Sequence, residues 1–367
     1  MKKIILSVLI FLICSLNALA LEDNYLPSVT GVVKNVVYSN VDENETIQAM
    51  QLAEIKILDG EHKGEIVRLE NVLTGNPAYD IKLRNGVNVV LHAELVGNDV
   101  EYSISDIKRS RVLTWLSFIF CGLLLFVGKR KGLFSLIAIV LTCLLIFYAL
   151  SPLILLGLNP VIATILLCIA STALTMYLVG GVNRKSSSAV IGTVLSLIFA
   201  GLLSIIAVKL ASLNGIIGEN SLFLYAVHPQ LNFIAILVST MILATLGAVM
   251  DVAMSIASTI NEIYTIDNTK TAKDLFVSGM NVGKDIIGTM ANTLILVYLG
   301  SSLPLLLLAS NIDFQKFINL NQVVAEISSA LIGSSAIVIC VPLTALVASQ
   351  MVKNLPVKID FSELKDN

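Results

Sequence analysis

Asp251 lies within an apolar run, Ile242 to Ala257, long enough with its flanks to cross a bilayer, where an ionised carboxylate costs about 2.5–3.5 kcal/mol. An amide or a hydroxyl would bond neighbouring helices without that cost, so a carboxylate at this depth points to charge handling. Counting outward in helical steps gives Thr240, Ala244, Gly247, Asp251, Ser255, Ser258 and Glu262. Spacings of three and four put these side chains on one stripe and leave Leu, Ile, Val and Met for the rest of the surface. Such a stripe must meet protein or water.

A second stripe follows after a short polar stretch: Asn281, Asp285, Gly288 and Asn292, with Thr289 beside it. Its spacing matches that of Asp251, Ser255, Ser258 and Glu262. An antiparallel hairpin would therefore set Asp251 against Asn292, Ser255 against Gly288, Ser258 against Asp285 and Glu262 against Asn281, with Lys284 near enough to Glu262 to pair. Gly247 and Gly288 would permit close backbone approach. Carboxylates among amides and hydroxyls suit a proton or small-cation relay, because oxygen ligands replace hydration and the carboxylate neutralises charge. Ser255, Ser258 and Thr289 also fit a plainer role as interhelical hydrogen bonders, worth about 0.6–2 kcal/mol each.

Stripes of this kind need membrane helices to carry them, and the composition supplies these. Of 367 residues, 56% are hydrophobic and only 14% charged, against about 25% charged in soluble domains. The net charge of −2 says nothing about nucleic acid, but no basic run interleaved with aromatics occurs, which excludes a nucleic-acid partner. Apolar spans near 112–128, 133–151, 160–180, 189–211, 233–257, 285–309 and 327–351 each match the length that about 30 Å of hydrocarbon requires. Seven spans are expected.

Before them, Lys2-Lys3, an apolar stretch from Ile4 to Leu16 and Ala18-Leu19-Ala20 read as a signal peptide over residues 1–20. Ile13 before Cys14 argues against a lipidation signal. From about Ser28 to Lys108 the pattern alternates with period two between Gly-containing turns such as Asp59-Gly60 and Asn85-Gly86. Five or so short strands suggest a small antiparallel barrel or sandwich, OB-like as the first choice. The expected organisation is a β-domain over 21–108, a membrane domain over 109–352 and a tail over 353–367. Lys129-Arg130-Lys131, Arg184-Lys185, Lys270, Lys273, Lys284, Lys353 and Lys358 fall on one side of the seven spans. The positive-inside rule makes that side cytoplasmic and puts the β-domain outside, in agreement with the signal peptide.

Gly192, Ser196, Ala200 and Ser204 form a small-residue face in the fourth span, read as helix packing. Pro304 and Pro342 are expected to kink the sixth and seventh spans. Cys14, Cys121, Cys143, Cys168 and Cys340 lie in the leader or in spans, away from any disulfide position. His62 and His92 lack a second ligand at metal spacing, and His228 before Pro229 reads as an ordinary loop histidine. Walker, zinc-protease and nucleophile-elbow motifs do not occur, so neither an enzyme nor a metal or other cofactor is expected.

Gly247-Ala-Val-Met-Asp-Val-Ala-Met-Ser-Ile-Ala-Ser and Ser278-Gly-Met-Asn-Val-Gly-Lys-Asp-Ile-Ile-Gly-Thr-Met-Ala-Asn-Thr-Leu resemble signature segments of the YibE/F-like family of bacterial multi-pass membrane proteins. Leu125 to Leu133 and Val179 to Lys185 also fit that family's cytoplasmic loops. The resemblance implies residence in the bacterial cytoplasmic membrane, and an oligomer of the chain with itself or with a second YibE/F-like protein. It carries no activity with it. The residues themselves favour a permease moving a small ion or solute through the bilayer, with Asp251 handling charge and Asn292, Asp285 and Ser255 lining its path. The other reading is an envelope component whose outer β-domain binds a partner and whose bundle is an anchor. Seven spans and the absence of an internal repeat weigh against an inverted-repeat transporter.

Overall fold

The computed structural model describes residues 28–39, 48–96 and 99–353. The expected signal peptide with Cys14, and the tail beyond Lys353 with Lys358, lie outside the described residues. By contact the chain divides into two compact units between Val127 and Gly128.

In the first unit, β1 (Val29–Ser39), β2 (Ala49–Ile57), β3 (Ile66–Leu73), β4 (Asn88–Val96) and β5 (Asp99–Ile107) form one antiparallel sheet in the order β3-β2-β1-β4-β5. Its edge strands β3 and β5 are drawn together, so the sheet nearly closes. Alternation decides the faces: Ala53, Ile55 and Ile57 of β2 point inward with Val33, Val89 and Leu91, while Leu52 is exposed. Gly60 turns β2 toward β3 at φ 84°, a conformation that costs glycine little. That turn is tied to β1, because the Asp59 carboxylate accepts hydrogen bonds from Thr30 N and Thr30 Oγ1.

The segment between β3 and β4 is strapped to the sheet by one buried amide. Gln51 Oε1 accepts from Leu83 N at 3.0 Å and from Asn71 Nδ2 at 2.9 Å, while Gln51 Nε2 donates to Leu83 O at 3.2 Å. These bonds satisfy a side chain with no solvent exposure and seat the apolar Leu83 in the core.

α1 (Ser110–Leu145) breaks at Lys129, whose backbone is non-helical at φ 45°, ψ −125°. Before the break its side chains, among them Trp115, Phe118 and Leu123, are exposed and apolar on every side, as expected of a lipid-facing span. After the break the chain continues through a π-helical turn (Ile146–Leu150) into α2 (Ser151–Leu155). This second half packs on α3 (Pro160–Gly180) through Leu145, Ala149, Ala163 and Leu167.

α4 (Arg184–Leu210), α6 (Phe233–Ile266) and α10 (Asn321–Lys353) form the centre of the second unit, with α3 against α4 and α6 and with α7 (Ala272–Ser301) against α6 and α10. Short α5 (Gly218–Val227), α8 (Leu303–Leu308) and α9 (Phe314–Ile318) lie in the connections. Small residues decide these contacts. A Cβ on Gly192 would collide with Thr344, and one on Gly201 would stand 3.1 Å from Ile242 Cδ1; Gly192, Ser196, Ala200 and Ser204 are all buried. Gly215, at φ 81°, has no room for a side chain against the Phe233 backbone.

The expected sixth span is revised. The sixth helix starts earlier, at Ala272, and ends at Ser301, so Pro304 opens α8 instead of kinking a span. A proline lacks the N–H that a first turn leaves unbonded in any case. α10 is one helix through Pro342. Among the described residues six helices are long and apolar enough to cross a membrane, the first running 46 residues from Ser110 to Leu155.

Candidate functional site

Each stripe is carried by a helix with a defined start. Asn232 caps α6, its side chain accepting from Ala235 N at 3.0 Å. Thr271 and Asp274 form a reciprocal capping box at the start of α7. Along α6, Val249, Val252, Ala253, Ile256 and Ile260 are buried against the other helices. Thr240, Ala244, Gly247, Asp251, Ser255 and Glu262 are exposed, and Ser258 is half-buried. On α7 the buried residues are Leu275, Gly279, Gly283 and Leu294, whereas Asn281, Lys284, Asp285, Gly288, Thr289 and Asn292 are exposed.

The rung-by-rung pairing of the two stripes is therefore not made within one chain. Among the described residues no hydrogen bond links them and no ion pair joins Lys284 to Glu262. A Cβ added to Gly247 or Gly288 would find nothing within 4 Å, so neither glycine is a packing contact here. The reason is rotational. Gly279 and Gly288 are nine residues apart, roughly half a turn out of phase at about 100° per residue, and Gly279 faces the bundle. Its added Cβ would lie 2.6 Å from Ile260 Cδ1 on α6 and 3.2 Å from Ala345 Cβ on α10, and one on Gly283 would collide with Val341. Farther along, a Cβ on Gly333 of α10 would lie 3.2 Å from Thr245 Oγ1 and 2.5 Å from Leu294 Cδ2. α6, α7 and α10 thus meet through apolar and small residues, and both polar stripes turn away from that contact.

The hydroxyls do not cross between helices either. Ser255 Oγ donates to Asp251 O at 2.8 Å and Thr289 Oγ1 donates to Ile286 O at 3.0 Å, each within its own helix. At the end where α7 begins, Arg184 Nη1 donates to Val352 O at 2.7 Å, so the starts of α4 and α7 and the end of α10 share one end of the bundle with Arg184, Lys273 and Lys353.

At the other end a cavity of about 300 Å³ opens between α5, α6, α7 and α10, lined by Ser221, Thr240, Ala244, Tyr298, Glu326 and Ser329 among others. Thr240 and Ala244 are the first members of the α6 stripe. Asp251 follows eleven residues after Thr240, about 16 Å along the helix. Glu326 and Tyr298 are not among the residues expected from the sequence, since Glu326 falls one residue before the expected seventh span. A signal for Glu326 exists in the series Glu326, Ser329, Gly333, Ala336 and Cys340, again at spacings of three and four.

Among the described residues no group of three or more His, Cys, Asp and Glu side chains could hold a metal ion. Cys121, Cys143, Cys168 and Cys340 are free thiols. In the β-domain the His62 ring shares a hydrogen bond with Glu65 Oε2 at 3.1 Å and stacks edge-on with Tyr102.

A bundle of long apolar helices joined in one chain to a small β-domain defines a multi-pass membrane protein. Two family models match the chain: that of the YibE/F family N-terminal domain over residues 21–107, and that of the YibE/F-like protein over residues 116–354. The chain belongs to the YibE/F-like family. Searches of curated proteins and of solved structures found no match.

Proposed function

We propose that this protein is a permease for a small ion or solute, with Asp251 as its charge-handling residue and Ser255, Asp285, Thr289 and Asn292 along the path. The observation that carries the reading is the continuity of the α6 stripe with a cavity: Thr240 and Ala244 line it, and Gly247 and Asp251 follow at one and two further helical turns. Side chains this polar do not face hydrocarbon without cost, so the stripes of α6 and α7 border water or a second subunit. A homo-oligomer, or a hetero-oligomer with another YibE/F-like chain, would cover them.

The chain crosses seven times in this reading. A straight helix from Ser110 to Leu155 would run about 69 Å, more than twice the hydrocarbon thickness. The non-helical backbone at Lys129, inside Lys129-Arg130-Lys131, supports reading it as two spans. The basic end of the bundle is then cytoplasmic, and the β-domain, an OB-like barrel over 21–108, is extracytoplasmic. The function is non-enzymatic and sits in the bacterial cytoplasmic membrane.

Purified protein in liposomes, assayed for proton or cation flux, tests the reading. Asp251→Asn keeps hydrogen bonding and loses only the titratable group, so it should fold and yet abolish flux. Undiminished flux would remove Asp251 from the mechanism. The second reading, a partner-binding envelope component, is favoured by a cleft of about 550 Å³ on the β-domain, lined by Tyr79, Asp80, Lys82, Asp106 and Arg109. It requires Asp251→Asn to be silent in every functional assay.

A further inference from the structure

Glu326 stands about one and a half turns into α10, half-buried and without an ion-pair partner among the described residues. It lines two cavities at once: the polar one of about 300 Å³ and an apolar one of about 190 Å³ walled by residues such as Ile295, Leu305 and Phe317. Tyr298 of α7 also lines both. Its hydroxyl is sealed from solvent beside the Ser329 hydroxyl, which is itself turned to its own helix. Of the side chains lining either cavity, only Glu326 and Tyr298 titrate.

The other hydroxyls of the polar cavity share one orientation. Ser221 Oγ donates to Ile217 O at 2.7 Å, Thr240 Oγ1 to Leu237 O at 2.8 Å and Ser329 Oγ to Ala325 O at 2.8 Å. Each proton is committed to a backbone carbonyl, so each oxygen has only lone pairs left to offer. Apart from the Tyr298 hydroxyl, which keeps its proton, a cavity edged by a carboxylate and by hydroxyls spent as donors presents acceptors, which suit a hard cation better than an anion. One carboxylate balances one positive charge.

We infer that Glu326 and the hydroxyl oxygens of Thr240, Tyr298 and Ser329 form a binding site for a small monovalent cation, a proton or sodium, at the end of the bundle remote from Arg184 and Lys353. The inference extends the permease reading, since the site opens onto the stripe that leads to Asp251. It differs from that reading in needing binding and not passage.

The test uses the full chain in lipid nanodiscs. Sodium, compared with choline at equal ionic strength, should raise the unfolding temperature saturably, and Glu326→Gln should abolish the rise. Thr240→Val and Ser329→Ala keep the carboxylate and remove one oxygen each, so each should weaken the apparent sodium affinity about tenfold. If the ion is a proton, sodium has no effect, and infrared difference spectra on acid titration show a carboxyl band that Glu326→Gln removes and Thr240→Val shifts. The inference is overturned if neither the sodium response nor any carboxyl band depends on Glu326, or if calcium binds there more tightly than sodium. Binding at Glu326 without flux in liposomes would sink the permease reading alone.

Discussion

Glycine in α7 has two uses, and substitution separates them. The space beside Gly283 is filled by Val341, so Gly283→Ala should overpack the α7–α10 contact and cost about 1–3 kcal/mol. Gly288 has open space around it, and Gly288→Ala should leave stability within about 0.5 kcal/mol. Thermal unfolding of the two purified variants would show it, and equal losses would mean that both faces of α7 are packed. In the β-domain, burial opposes ionisation of Asp59, yet hydrogen bonds from Thr30 with help from Lys108 and Lys63 hold its carboxyl below the usual value. A depressed carboxylate contributes stability above its unfolded pKa of about 3.9, and that contribution disappears as pH falls through the lower folded value. Thr30→Val should therefore raise the pH at which amides of the Gly60 turn lose exchange protection. The effect should be small, because the pair is exposed.

Elements in this chain are held by a few local devices. The strap between β3 and β4 depends on Gln51, whose loss leaves Leu83 N and Leu83 O without their side-chain partner. Gln51→Ala should cost about 1–3 kcal/mol and should show as faster amide exchange over residues 74–87, whereas unchanged exchange there would mean that Leu83 alone seats the segment. α1 is the other case. Its apolar halves were legible from hydropathy, and the basic triplet between them marked a division, but the non-helical backbone at Lys129 appears only in the structure. If the break separates two spans, a cysteine at Arg130 in a cysteine-free background should be labelled from the same side as one at Val182. Both positions are exposed.

At the scale of the molecule the proposed sidedness rests on the charge bias. Cysteines at Val182 and Asn311, at opposite ends of the bundle, should react with an impermeant thiol reagent from opposite faces of the membrane, Val182 from the cytoplasmic side. Labelling of both from one side would refute the arrangement of spans. Covering the α6 and α7 stripes belongs to the same scale, because nothing within a single chain does so among the described residues.

Period-two alternation from Val29 to Ile107, turn glycines and apolar runs of membrane length were enough to read the strands and most of the helices, because those patterns record which side of each element meets an apolar environment. Asp251 and its companions were equally legible as a stripe, since helical spacing alone puts them on one face. What the stripe faces was not. Two matched stripes suggested that they satisfy each other, but Gly279 and Gly283 give α7 a second close-packing face, and α10, far off in sequence, brings Ala345 and Val341 to it. Only the tertiary structure decided between those faces, and only it joined Thr240, Tyr298 and Glu326 around one cavity. Periodicity fixes angles about a single helix axis, whereas the rotation of one helix against another is settled by steric fit among residues that no local pattern connects.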